Sequence, residues 1–425
     1  MKKVLLVAFH FPPAAMGSGH LRTLGFARHL PGFGWEPVVL STNAAAFPQA
    51  DSANNGLIPE GCHVHRAPSL DLRRQLGVRG KYPAFMAQPD RWASWWPLGV
   101  MSGLQLIRRY RIDAVWSTYP IMTAHCIAHT LSHLARLPWI ADFRDPVTSS
   151  VEAGNPYSVA AQKRWEQRVL ARANRIVLTT PGAMKAYAAR FPAAAREQRL
   201  AVIPNGYDEA AFVDLPAATQ PRSDERRALT LIHSGMLYPE GRNPLPFFTA
   251  LARLKASGAL RADDLRIVLR ASGAGQQYET QAQHLGLGDI VKFAPPIPNR
   301  DALIEQGAAD ALLLFQGSKF DHQIPAKLYE YLRIGHPIFA LVGEHGDTAA
   351  LLRETGGAIL APMDDVSAIA EALAAFLRAI RSGHAPVVAQ ATAARYSRAF
   401  GAATLANLLD QVTAGPGADG VEDSR

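Results

Sequence analysis

The sequence predicts an α/β protein built from two doubly wound parallel-sheet domains in tandem. Three observations predict it. Short apolar runs alternate with longer helical patterns along the chain. The alternation breaks once, in a polar, turn-rich stretch, and then restarts. The 425 residues also exceed the roughly 100 to 200 of a single typical core.

In the first series the strand candidates are "KVLLVAF", "EPVVLST", "HVHRA", "DAVWST", "PWIAD", "RIVLTT" and "LAVIP". They are β-rich and bounded by turn residues, as buried parallel strands are. Helical spacing fills His20 to His29, Leu98 to Tyr110, Ile121 to Arg136 and Ala160 to Arg172. The polar stretch "NGYDEAAFVDLPAATQPRSDERR" then reads as a linker, placing domains at 1–205 and 229–388 around residues 206–228. The second series is "LTLIHSG", "LRIVLRASG", "IVKFAP", "ADALLLFQ", "PIFALV" and "GAILAP". Helices follow from about Asp365 to Arg381 and from about Val388 to Val412, with 389–413 set apart from the second domain and 414–425 read as a disordered tail.

Composition is that of a globular protein, 48% hydrophobic and 19% charged. The net charge of +8 is uneven: residues 1–200 carry 24 Lys+Arg against 11 Asp+Glu, and residues 201–425 carry 20 against 25. A basic first half attracts anions without choosing among nucleic acid, anionic lipid and phosphorylated substrate. Cys62 and Cys126 make neither a disulfide framework nor metal-ligand spacing, which fits a reducing cytoplasm. The opening apolar run, Val4 to Phe9, is shorter than the roughly 7 to 15 residues of a signal-peptide core and reads as a first strand. The longest stretch without a charged residue or a histidine, Trp92 to Ile107, contains Pro97 and falls short of the ~20 residues that span a bilayer.

Ligands of open α/β sheets bind outside the carboxyl ends of the strands, so site residues are sought in the loops there, where two sheets facing each other would border a cleft. After the first strand, "HFPPAAMGSGHLR" carries Gly17 and Gly19 ahead of a helix whose free N–H groups suit an anion. It is not a dinucleotide fingerprint, since the third glycine position holds Arg22. "WIADFRDP" crowds Asp142, Arg144 and Asp145 at a strand tip. Two readings stand there: a site for a hydroxyl-rich ligand, or an arginine neutralising two aspartates to fasten a loop. "IPNGYD" reads as a turn through Asn205 and Gly206. In "HSGMLYPEGRNP", Ser234 and Gly235 allow close backbone approach, and Arg242 precedes a helix where a guanidinium can fork onto phosphate oxygens.

"IPAKLYEYLRIGHP" is the most informative stretch. Pro325 suits a first helical turn whose N–H groups point at an anion, Lys327 adds a cation, and Glu330 falls on the same face to accept from vicinal hydroxyls, as on a ribose. An internal Lys327–Glu330 ion pair is the competing reading, set against the apolar Leu328 and Leu332 that turn the helix to the core. Lastly, Trp92, Trp95 and Trp96 stand among Lys81, Arg91, Arg108, Arg109 and Arg111. The segment suits either the headgroup layer of an anionic membrane or ordinary core packing. No basic motif with ordered stacking aromatics points to nucleic acid.

Together, "GSGHLR", "ADFRDP", "IPNGYD", "HSGMLYPEGRNP" and above all "IPAKLYEYLRIGHPIFAL" resemble glycosyltransferases of the GT-B fold, of the family-4 type that assembles bacterial capsules, O-antigens and exopolysaccharides. The resemblance implies two Rossmann-like domains facing a cleft and transfer of a sugar from a nucleoside diphosphate sugar to a saccharide or lipid-linked acceptor. It implies retention of configuration, no metal and no cofactor. On the donor side it implies Glu330 at the ribose, Arg242 and Lys327 at the diphosphate, and the Gly17–Gly19 loop approaching that diphosphate, with Ser234, Gly235, His322 and Ile324 nearby. On the acceptor side it implies Arg22, Asp142 and Arg144, with Asp142 or Asp145 as base should the reaction invert. It also implies a last helix crossing back onto the first domain, and a cytoplasmic enzyme with peripheral contact at the membrane. His322 stands where the family often has the first of two glutamates, and Met236 where it has an arginine. A sugar-nucleotide or polysaccharide-binding protein without catalysis and a nucleotide-sugar 2-epimerase of the same fold are the competing functions.

Overall fold

The computed structural model describes residues 1–15, 17–77, 86–147, 156–216, 227–273 and 275–414. They form two compact units, Met1–Asn205 with the chain from Arg398 onward, and Gly206–Ser397.

In the first unit seven strands form one parallel sheet: β1 Lys2–Val7, β2 Trp35–Thr42, β3 His63–Ala67, β4 Ala114–Thr118, β5 Trp139–Phe143, β6 Arg175–Leu178 and β7 Leu200–Val202. Their order is β3-β2-β1-β4-β5-β6-β7. Its helices are α1 Leu21–His29, α2 Trp95–Tyr110, α3 Met122–Ala135, α4 Pro156–Arg172, α5 Pro181–Arg190 and α6 Pro192–Arg196. Strand periodicity sends alternate residues to opposite faces. Leu5 and Val7 pack with Leu106, Ile127 and Leu131 of α2 and α3, while Val4 and Leu6 pack with Leu24 and Phe26 of α1. Each such fully buried side chain contributes about 1.5 to 3 kcal/mol. The C-terminal helix, Arg398–Thr413, joins this second layer through Leu405 and Leu409.

The second unit repeats the plan with β8 Leu229–Ser234, β9 Leu265–Arg270, β10 Val291–Ala294, β11 Ala311–Gln316, β12 Ile338–Val342 and β13 Ala358–Pro362, ordered β10-β9-β8-β11-β12-β13 and all parallel. Its helices are α7 Leu245–Ala256, α8 Gly275–His284, α9 Asn299–Ala308, α10 Ala326–Ile334, α11 Asp347–Thr355, α12 Val366–Arg381 and α13 Gln390–Ala394. In both sheets the strand order reverses beside the first strand, at β1/β4 and at β8/β11. Such a switch point is where a doubly wound sheet opens a crevice.

Two readings change, and a third, left open, is decided. The stretch 206–216, expected as linker, belongs to the second unit: Tyr207 is buried, and its N–H donates to the Tyr396 carbonyl at 3.2 Å. That contact falls where one continuous helix was expected, and the pattern splits into α13 and the C-terminal helix around Arg395–Ser397. Trp92 and Trp95 pack against Phe9, with ring centroids at 4.6 and 5.9 Å, and Arg91 stacks on Trp92 at 4.2 Å. Core packing, not a headgroup layer, claims those two tryptophans, because the β1 core has room for large rings and burying them removes more apolar surface from water than any other side chain would. Lys81 and the tail 415–425 lie outside the described residues. Among the described residues no helix is long and apolar enough to cross a membrane.

Candidate active site

The second unit's site begins at its switch point. β8 and β11 pair through Leu231 and Ile232, and side chains bridge them beyond that. His233 Nδ1 lies 2.9 Å from the Leu313 carbonyl, so Nδ1 must carry the proton and donate it. The Ser234 N–H donates to the Tyr331 hydroxyl at 3.3 Å, which donates to the same carbonyl at 3.4 Å. The unprotonated Nε2 of His233 therefore faces outward and accepts from Lys327 Nζ at 3.2 Å. His233 is fully buried; burial first, and the Lys327 charge second, push its pKa well below the usual histidine value, so the ring is neutral.

Lys327 occupies the first turn of α10, behind Pro325, which caps the helix from an extended conformation where the sequence suggested a place inside the turn. A β-carbon on Gly235 would lie 2.5 Å from Lys327 Nζ, and Gly235 itself has φ +126°, so only glycine lets the ammonium rest against this backbone. Burial, then the Arg242 charge, lower the Lys327 pKa to about 7, against a raising influence of Glu330 one turn along. The hydrogen bond that the ammonium makes goes to a neutral ring, which leaves donors for a ligand.

Arg242 is not a solvated arginine. Its Nε donates to Gln316 Oε1 at 3.1 Å, and its guanidinium stacks on Tyr238 and Phe320 at 5.2 and 5.6 Å. A β-carbon on Gly241, at φ +88°, would collide with Phe320 at 2.5 Å, so the glycine seats that ring. The Ser234 Oγ is buried and has no hydrogen-bond partner among the described residues. Glu330 and Ile324 are half-buried, and His322 is exposed.

Next to Gly235, Met236 leads into a cavity of about 540 Å³ at the ends of β8, β9 and β10. Ala271–Gly273, Phe293–Pro296 and the α8 side chains Gln276 and Glu279 complete its lining. The volume suits a drug-sized flat ligand. Sequence reasoning passed over both this cavity and His233. The signals were a glycine-rich turn after β9, and a histidine at a strand position that parallel sheets keep apolar.

The first unit's residues meet differently. Asp142, fully buried at the end of β5, accepts from Arg22 Nε and Nη2 at 2.8 Å each and from Thr118 Oγ1 at 3.0 Å. Arg22 also donates to the Ile203 and Pro204 carbonyls at 3.0 Å. The partner that neutralises Asp142 is thus Arg22, where the sequence suggested Arg144, and both carboxylate oxygens are engaged. Arg144 instead donates to the Gly19 carbonyl. Asp145 is half-buried, and burial raises its pKa against the lowering charge of Arg144. Gly17 and Gly19 enter a short 3-10 turn that runs into α1. A β-carbon on Gly19 would sit 3.3 Å from the His10 ring. Burial, then Arg144, then His20 lower the His10 pKa to about 4. His20 is 8% exposed, and its Nδ1 has no partner among the described residues. Neutral imidazoles and Arg144 thus gather around the Gly19 turn.

Residues 18–206 match the family described as glycosyl transferase 4-like domain. No curated protein matches the sequence. Solved structures do match over nearly the whole chain. Sucrose-phosphate synthase from Thermosynechococcus elongatus is 16% identical over 97% of this chain and 100% of that one, with a TM-score of 0.61. A glycosyltransferase from Rickettsia africae is 12% identical over 97% and 99%, at 0.65. HepE from Anabaena, solved in complex with UDP, is 18% identical over 97% and 100%, at 0.62. The chain therefore has the GT-B fold of these structures, and its first unit carries a glycosyl transferase 4-like domain.

Proposed function

We propose that the enzyme moves a sugar from a nucleoside diphosphate sugar to a hydroxyl of a saccharide or lipid-linked acceptor in bacterial cell-surface polysaccharide synthesis, with retention of configuration. The observation that carries this reading is the Lys327 ammonium, half-buried at the N-terminal turn of α10 against Gly235, with a neutral His233 as its partner. A cation beside the first N–H groups of a helix is stabilised by an anion. In this reading the nucleobase fills the cavity beside Met236, the diphosphate lies along Gly235 to Lys327 and Arg242, and Glu330 accepts from the ribose hydroxyls.

The reaction breaks the bond between the anomeric carbon and the diphosphate oxygen, leaving negative charge on the diphosphate while the anomeric carbon turns cationic. Lys327, Arg242 and the N–H groups of α10 are charged or polarised before that charge develops, and one such donor is worth roughly 3 to 4 kcal/mol. The leaving diphosphate oxygen takes the acceptor proton on the same face, so retention needs no protein base. If the product is inverted, Asp145 is the better base candidate, because both oxygens of Asp142 are held by Arg22. The acceptor falls to the first unit, whose basic surface would meet an anionic membrane from the cytoplasm.

HepE has been solved with UDP and with UDP-glucose, which makes uridine donors the first to try. A thermal-shift screen of uridine, guanosine and adenosine diphosphate sugars should give one stabilising series by mass action. No stabilisation by any of them overturns the donor assignment. NMR of the product's anomeric centre separates retention from inversion.

A further inference from the structure

The helical layer of the first unit holds a second cavity, far in sequence from the donor residues. It measures about 270 Å³ and is lined by Trp96 of α2 and by Ala161, Arg164, Trp165 and Arg168 of α4, with Gln88. Trp96 and Trp165 meet edge to face at 5.0 Å, and Trp96 Nε1 donates to Thr130 Oγ1 at 3.0 Å, which fixes one indole wall. The other wall carries the Arg168 guanidinium, stacked on Trp165 at 4.9 Å. α2 comes close enough to build this pocket because Gly103 faces Leu131 of α3, where a β-carbon would lie only 2.5 Å from a methyl.

Charge accumulates around it. Arg164, Arg168 and Arg172 recur at four-residue spacing on the exposed side of α4. His129 and His133 recur at the same spacing on the neighbouring α3. His129 packs edge-on to Trp165 at 5.5 Å, and Arg172 Nη2 lies 3.2 Å from His133 Nδ1. Burial and the charges of Arg172, His133 and Arg168 hold the His129 pKa low. Among the described residues none of these arginines has a carboxylate partner; Arg164 donates only to the Ala160 carbonyl, at 3.4 Å. Like charges one helical turn apart destabilise a helix. An array of three with no carboxylate partner among the described residues is therefore a cost to the fold that a bound anion would offset.

The cavity is large compared with the roughly 30 Å³ a water molecule occupies in the liquid, and guanidinium forks match phosphate oxygens in pairs. We propose that this pocket is a phosphate-binding site, in which Arg164 and Arg168 grip the phosphate oxygens and Trp96 and Trp165 pack against the group that bears the phosphate. Both a lipid head group and a soluble phosphate ester present that chemistry. The site is independent of the donor reading, since no residue is shared.

The test uses the full chain and the double variant Arg164→Gln/Arg168→Gln, whose changes are on exposed side chains and leave Lys327 in place. Thermal stability is measured in inorganic phosphate against chloride of equal ionic strength, and co-sedimentation with phosphatidylglycerol and phosphatidylcholine vesicles. The double variant should bind phosphate about tenfold more weakly or worse, the loss expected for charge-assisted hydrogen bonds. If wild type also sediments with phosphatidylglycerol and the variant does not, the phosphate belongs to a lipid. If only the phosphate shift depends on the arginines, it belongs to a soluble ester. A variant that keeps both the phosphate shift and the vesicle binding of wild type overturns the site.

Discussion

Two cations stand beside strand ends in this protein, and they are balanced in opposite ways. In the first unit Arg22 forks onto Asp142, and its remaining donors reach backbone carbonyls. In the second, Lys327 rests on the unprotonated face of a neutral histidine. The first arrangement is closed, with charge and hydrogen bonds satisfied inside the fold, so its work is to fasten β5 to the chain leaving β7. The second is open, and in the proposed function its charge is completed by the donor diphosphate. A conspicuous charged residue at a strand tip is thus a poor guide to function until its partner is known.

Cutting the closed pair should have the largest effect. Asp142→Ala leaves a buried guanidinium uncompensated and should cost about 3 to 5 kcal/mol in denaturant unfolding of the first unit. A loss under 1 kcal/mol would show the pair is not holding the sheet together. The open cation should behave in reverse. Lys327→Met should lower kcat by about a hundredfold to a thousandfold, as for loss of one preorganised donor, while the melting temperature stays level or rises because a half-buried charge is gone. A destabilised but active variant would reverse the assignment. Glu330→Ala should mainly raise the donor KM, by about tenfold or more, the worth of a hydrogen bond to a charged group. An unchanged KM would remove Glu330 from the ribose.

The contrast also explains what was legible in the sequence. The strands stood out because parallel strands buried on both faces are unbroken apolar runs, and every quoted run overlaps an observed strand. Lys327 and Glu330 were legible because both lie on one helix, where spacing fixes the face. The Arg22–Asp142 pair spans 120 positions, and no local pattern reports such a meeting. Arg144 was the nearer guess along the chain, and the fold turned it to the Gly19 carbonyl instead. His233 was hidden because a strand pattern treats it as one more inward position. The cavity beside Met236 was hidden because three separate loops build it. Trp92 and Trp95 left two readings open because of their basic neighbours, since composition cannot tell a ring facing lipid from one facing Phe9.

Protonation gives the most direct test of the open cation. Free Lys327 titrates near 7, and an anion on it favours the charged form, so its pKa rises in the complex and binding takes up a proton. Calorimetric titration of UDP, or of whichever nucleoside diphosphate the screen selects, from pH 7 to pH 9 should show affinity falling with pH. The limit is about tenfold per unit, with proton uptake visible as a buffer-dependent heat. In Lys327→Met the same titration should be weak and flat. Wild-type affinity independent of pH across that range, or a Lys327→Met profile that still falls like wild type, would contradict the account.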